Sequence, residues 1–336
     1  MGFLSLGSLP GNQGMHDQIL AMKWVQQHIS DFGGNPDNIT IMGESAGAMS
    51  CMLHYVSPLS QGLFHKVIAL SGTGSTPFLH QDRKPQHYGR ALAHHLITNS
   101  QNYTDEDLII KLRQLPAKNL AANVALFKDW DANTPLQFKP CLDPQAGSEA
   151  FMPIPFRQAV LEGKFNPTIP ILTGCNSEEG LIFSVNFHKY PKRWDLLFGS
   201  WDIWAPLLFF SREPNLISSE DVEKSNLIKN KFFPQDMIPI RNQDNLKTLE
   251  EIFSSAIFQA PMVNDMKLLA TKGVQIYAFD FAYNGTMTLA DVFRLSLSKV
   301  GMNFAARHCN LNRLKVFQKD LGVCHGDDMF YYFTCK

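Results

Sequence analysis

Gly43-Glu44-Ser45-Ala46-Gly47 is where residue types and spacing in this chain could do chemistry. A Gly-x-Ser-x-Gly pentapeptide presents a nucleophile when a strand runs into it and a helix leaves it, because the sharp turn lifts the serine hydroxyl clear of its neighbours. Both flanks fit: the β-prone run Ile39-Thr40-Ile41-Met42 precedes it and the helix-compatible run Ala46 to Tyr55 follows. The flanking glycines are expected to be required, since a Cβ at either would meet the tight backbone. The helix start directs partial positive charge at the same place.

A serine hydroxyl is a poor nucleophile at neutral pH and needs a general base, which in turn needs an acid to hold its tautomer. On this type of elbow the order along the chain is serine, then Asp or Glu, then histidine. Of the 11 histidines, His325 best suits the base: it lies late in the chain, after Leu321-Gly322-Val323-Cys324, and opens a Gly-Asp-Asp loop. His94 and His95 are adjacent on a predicted helix and point to different faces, while His16, His28 and His65 read as ordinary helix or turn positions. The acid should follow a strand end. Ile169 to Gly174 is such a strand, and Cys175-Asn176-Ser177-Glu178-Glu179-Gly180 follows it. Periodicity does not choose between Glu178 and Glu179.

The elements that must position these groups alternate between helical and extended patterns, which predicts an α/β architecture with a largely parallel sheet. In Asp17 to Ile29 the apolar residues Leu20, Ala21, Trp24, Val25 and Ile29 recur at three- and four-residue spacing, with Gly33-Gly34 as the stop. Val67 to Leu70 reads as another short apolar strand, and Ile169 to Gly174 and Val274 to Phe281 as two further buried strands. Thr104 to Asp107 resembles a capping box opening a helix over Asp105 to Arg113, and Asp244 to Ala270 reads as a long helix interrupted at Pro261. The aromatic-rich stretch Tyr190 to Phe210 is read as a lid or pocket wall, within a mostly helical insertion over residues 184–270 of a single domain spanning 1–336.

The rest of the composition narrows the class. With 336 residues, 45% hydrophobic and 18% charged, the chain is globular and long enough for a large core. A net charge of −1 and no run of like charge give no footprint for nucleic acid. The six cysteines are scattered without a CxxC pair, against a zinc site or a dense disulfide scaffold. No apolar run approaches the roughly 18 residues of a membrane span. The start, Met1 to Leu6, has neither a basic leader nor a cleavage site and reads as sequence from inside a domain. Sequons stand at Asn38, Asn102 and Asn284; Asn38, at the foot of the nucleophile strand, reads as structural. Compartment, cytoplasmic or secreted, and oligomeric state stay open.

These residues resemble the type-B carboxylesterase family, which includes cholinesterases and insect esterases. The resemblance is carried by Pro10 to Gly14 with Asp17-Gln18, Trp24-Val25, Phe32 to Pro36, Gly43 to Gly47, Gly62 to His65, Ser71-Gly72, Gly174 to Gly180 and His325 to Asp328. It implies an α/β-hydrolase fold and cleavage of carboxylic esters through an acyl-enzyme, with Ser45 as nucleophile and His325 as base. The family's acid is the glutamate directly before a glycine, which selects Glu179. It also suggests Ser71 as a buried hydroxyl behind the triad, with Glu44 in a supporting place, the Ala46 amide as one oxyanion donor, and no cofactor or metal. The aromatic stretch suggests that the substrate is a small ester with an apolar acyl or alcohol group. The family's His-Gly-Gly oxyanion motif does not occur in these residues. The expectation is therefore a chain truncated at both ends, with a sheet incomplete on its N-terminal side, exposed apolar faces, poor solubility and weakened catalysis. Cysteines that many secreted relatives pair near Leu96 and Lys111 are also absent, which leans toward an intracellular type. The competing class is a non-catalytic cholinesterase-like adhesion or binding module, against which retention of serine, acid and histidine speaks.

Overall fold

The computed structural model describes residues 2–81, 83–127, 130, 137–234, 238–284, 288–290 and 322–332. A short antiparallel hairpin, β1 (Ser5–Leu6) and β2 (Leu9–Pro10), leads into α1 (Gln13–His28). The central sheet then runs β3 (Thr40–Glu44), β4 (Lys66–Leu70), β5 (Ile171–Asn176) and β6 (Ile276–Phe281), adjacent in that order and all parallel. Parallel neighbours require crossovers, and helices supply them. The β3–β4 connection carries α2 (Ala46–Val56). The β4–β5 connection carries α3 (Gln86–Leu96), α4 (Asp105–Gln114), α5 (Ala117–Asn123) and α6 (Phe156–Leu161). Between β5 and β6 lie α7 (Leu181–Lys189), α8 (Pro191–Gly199), α9 (Trp201–Phe210), α10 (Ser219–Phe232), α11 (Gln243–Phe253) and α12 (Ala260–Thr271). The last helix among the described residues, α13 (Met329–Tyr332), follows the histidine loop.

Parallel register brings the strand ends together. Glu44 pairs with Leu70, Leu70 with Gly174, and Asn176 with Phe281. The ladder continues one step further, with Ser45 N–H on Leu70 O and Ser71 N–H on Gly174 O, both at 2.8 Å. Residues 45, 71 and 176–179 therefore leave the sheet at its carboxyl end, where ligands of open α/β sheets bind.

One large core joins α2 to the sheet and to the helices between β5 and β6, through Met52, Leu53, Ala69, Ile171, Phe253 and Leu249. The aromatics of Tyr190 to Phe210 belong to that core. Trp194, Trp201 and Phe209 are buried, and Trp194 and Phe198 pack edge-on against Phe233. Trp194, Trp201 and Phe209 turn inward against α10 and α11; Phe210 lines a neighbouring cavity, and no residue of this stretch lines the cavity that holds Ser45.

Three local readings are also refined. The inward face of α1 is Met15, Ile19 and Met22, while Leu20 and Trp24 are 62% and 52% exposed; Trp24 instead stacks on His28 and Phe32 along the surface. The helix carries two apolar stripes, and periodicity alone does not say which is covered. Its C-terminus passes through a 3-10 turn, Ile29–Phe32, before Gly33 caps it at φ 79°. The long helix of residues 243–271 is disturbed in the turn that leads into Pro261, where Ser254–Gln259 widen into a π-helix. Pro261 has no N–H to give the Ile257 carbonyl four residues back, which lies inside that widened turn.

The sheet ends on β3, which has no partner on its outer side among the described residues. Met42 on that strand is 40% exposed. No described helix is long and apolar enough to cross a membrane.

Candidate active site

Ser45 sits between β3 and α2 with φ 55° and ψ −119°, a backbone conformation a serine rarely adopts and one that costs about 1–3 kcal/mol. The strain is held by close packing: a Cβ at Gly43 would lie 2.2 Å from the Gly47 carbonyl carbon, and one at Gly72 2.5 Å from Ser45 O. At Gly47 the expectation fails, because a Cβ there meets nothing within 4 Å. The steric demand of the elbow rests on Gly43, while Gly47 borders open cavity. Gly43→Ala is expected to destabilise the protein by about 3 kcal/mol, since neither backbone can yield; urea unfolding measures it.

His325 is 5% exposed on a tight turn that Asp327 ties together. Asp327 Oδ2 accepts the Cys324 N–H at 2.8 Å and Oδ1 accepts the Leu289 N–H at 2.6 Å. Glu179 is fully buried. Its Oε2 lies 2.5 Å from His325 Nδ1, and its Oε1 accepts Ser71 Oγ–H and the Asn176 N–H, both at 2.6 Å. Glu178, the alternative left open by periodicity, points elsewhere. Its Oε2 accepts the Val323 N–H at 2.8 Å and its own N–H reaches Val323 O at 3.0 Å, forming a bridge to the histidine loop. One glutamate meets the imidazole and its neighbour anchors the loop that carries the imidazole.

Glu44 stands beside the other ring nitrogen, its Oε1 3.1 Å from His325 Nε2. That oxygen accepts no hydrogen bond among the described residues, so the contact is electrostatic and off the nitrogen's bonding direction. Ala46 opens α2, so its N–H has no intrahelical acceptor, and the residue is exposed and lines the cavity. Ser45, Ala46 and His325 line one cavity of about 520 Å³, whose remaining surface is mostly apolar and includes Phe78, Phe183 and Phe258. Phe258 also lies against the imidazole, ring centroids 4.6 Å apart.

Sequence reasoning overlooked Asn176, Asp327 and Asp328. Asn176 Nδ2 donates to Cys324 O at 2.6 Å and to Asp328 Oδ1 at 3.3 Å, tying the end of β5 to the histidine turn. Their signal was present: all three lie inside segments already singled out, but as polar residues in loops they resemble solvated positions.

Burial disfavours a charged imidazole at His325, but the Glu179 hydrogen bond and charge, then Glu44 and Asp328, outweigh it and raise its pKa above the ordinary 6.5. A raised folded-state pKa means the ion pair stabilises the fold fully below the unfolded value and that this contribution is lost as pH rises through the folded one. The base function has the opposite sign, since only the neutral ring accepts a proton. Any activity that needs it should therefore fall off on an acid limb lying above 6.5. Glu44→Gln removes one of the raising charges and is expected to move that limb to lower pH, as a kcat/KM profile reads directly.

With this geometry in hand, comparison with known proteins places the chain. The sequence model of the carboxylesterase family matches residues 1–336, and the chain belongs to that family. It is 29% identical to venom carboxylesterase-6 of Apis mellifera over 98% of this chain and 54% of that protein. It is 31% identical to esterase FE4 of Myzus persicae over 87% of this chain and 50% of the relative. The crystal structure of juvenile hormone esterase from Manduca sexta, with OTFP covalently attached, superposes with a TM-score of 0.71 at 24% identity, covering 99% of this chain and 57% of that one. The fold is the α/β-hydrolase fold. The chain spans about half the length of the curated relatives it matches.

Proposed function

We propose that the protein carrying this chain is a serine hydrolase of carboxylic esters. Ser45 is the nucleophile, His325 the general base and Glu179 the acid that orients it. The observation that carries the reading is the buried Glu179 Oε2 to His325 Nδ1 contact of 2.5 Å, at the wall of the cavity onto which the strained Ser45 opens. A carboxylate on Nδ1 fixes the ring proton there and leaves Nε2 to take the serine proton. Ser45 then attacks the ester carbonyl, and the protonated imidazole gives its proton to the departing alcohol. Water, activated by the same nitrogen, releases the acid and frees Ser45. The Ala46 N–H donates to the oxyanion.

The apolar wall of the cavity supports esters with an apolar group. The named activities of the relatives, carboxylesterase and juvenile hormone esterase among them, support the reaction class. The test is hydrolysis of p-nitrophenyl butyrate by the purified protein. A burst of nitrophenolate equal to the enzyme concentration, followed by turnover, supports the acyl-enzyme; hydrolysis no faster than buffer refutes it.

A further inference from the structure

Between α11 and α12 the backbone widens into a π turn, Ser254–Gln259, closed by the Ala260 N–H on Ser255 O. Such turns are rare and gather at functional sites. Here the turn opens beside the loop that carries Glu179. Ser254, 2% exposed, accepts the Gly180 N–H on its Oγ at 2.7 Å and donates its own proton to Glu250 Oε1 at 2.5 Å. Gly180 directly follows Glu179. A Cβ on Gly180 would lie 2.2 Å from Glu250 O, 2.7 Å from Ser254 N and 2.8 Å from Phe253 Cβ, so the loop backbone packs directly on the helix.

The front of Glu179 is held by Ser71, Asn176 and His325; its backbone is held from behind by Ser254. We propose that Ser254, oriented by Glu250, is a positioning residue that fixes the Glu178–Gly180 loop so that the Glu179 carboxylate meets His325 Nδ1. This rests on the reading of Glu179 as the acid of the triad. A serine hydroxyl has one proton. When Glu250 accepts it, the remaining lone pairs are left for Gly180, and without that acceptor the hydroxyl is free to rotate away. Burial pushes the Glu250 carboxyl up to about 7, with Glu178 and Glu251 adding to the rise and the Ser254 hydrogen bond and Lys247 opposing it. The role asks for an oxygen acceptor at Glu250, not for its charge.

The test follows His325 in the intact protein by nitrogen-15 NMR titration, alongside kcat and KM for p-nitrophenyl butyrate. In Ser254→Ala the loop loses its tether, the Glu179 contact loosens, and the His325 titration is expected to move to lower pH. With it, kcat should fall roughly tenfold while KM stays within about twofold, since misplacement acts on the reacting groups and not on substrate binding. Glu250→Gln keeps the acceptor and should hold kcat within about twofold of the parent. Glu250→Ala should titrate below Glu250→Gln, although both lack the charge. A folded Ser254→Ala with the parent titration overturns the proposal, and so does a Glu250→Ala that matches Glu250→Gln. If Ser254→Ala does not fold, the two Glu250 variants decide alone. A parent that shows the raised His325 titration but no hydrolysis would sink the hydrolase reading while the NMR comparison still judges the tether.

Discussion

Replacing Ser45 with alanine is expected to lower kcat by about 10⁶-fold, the loss seen when the nucleophile of a serine triad is removed. The size of the effect follows from covalent chemistry, because no other hydroxyl stands on the elbow and no acyl-enzyme forms without it. Binding should survive: the cavity wall is built by Phe78, Phe183, Phe258 and other side chains that the change does not touch. Stability should rise or stay level, since the Ser45 hydroxyl makes no hydrogen bond among the described residues and the strained φ of 55° is set by the Gly43 and Gly72 contacts. Steady-state hydrolysis with a thermal melt checks both. A loss of less than about 100-fold would show that the hydrolysis arises elsewhere.

Glu179→Gln is expected to cost about 10⁴-fold in kcat with the fold intact, and the surrounding donors explain why. Glu179 Oε1 faces the Asn176 N–H and the Ser71 hydroxyl. A backbone N–H only donates, so the carboxamide oxygen must take that position and the NH₂ must face His325 Nδ1. The imidazole then has to accept at Nδ1, which places its proton on Nε2, the nitrogen that should receive the serine proton. The charge that raises the His325 pKa is lost as well, so its titration falls together with the activity. Measuring kcat and the His325 titration in one variant tests the two consequences; a variant within tenfold of the parent would mean that the carboxylate does not hold the tautomer.

Much of this site was legible because chemistry and backbone geometry coincide in short segments. The elbow needs a glycine at 43, and the strand, turn and helix around it are local, so sequence alone exposes them. The four sheet strands were readable as apolar runs: those for β3, β5 and β6 start one or two residues early because apolar flanking residues extend the run past the hydrogen-bonded ladder, while that for β4 starts one residue late because Lys66 is polar. The strand β6, expected to be buried, is half exposed, with Tyr277 54% exposed. The choice between Glu178 and Glu179 was not a local matter. Adjacent residues leave a loop in different directions, and only the bridge to Val323 and Cys324 shows that Glu178 faces the histidine turn's backbone while Glu179 faces its ring. The aromatics of α8 and α9 were not separable for a similar reason, since a dense run of rings looks the same whether it lines a cavity, as Phe210 does, or packs against Phe233 and Phe253. The sequence signal for the π turn was Pro261, which denies the preceding turn a donor; the close approach of Gly180 to that turn comes from another part of the chain and left none.

The central claim is that Ser45 is activated by an imidazole held by Glu179. Incubation of the protein with a fluorophosphonate, followed by mapping of the modified peptide by mass spectrometry, tests it most directly. The account predicts one adduct, on Ser45, formed at a rate that falls on acidification through the raised His325 pKa and at least about 10³-fold slower in His325→Ala. An unmodified Ser45 in the folded protein, or labelling that ignores the loss of His325, would contradict it.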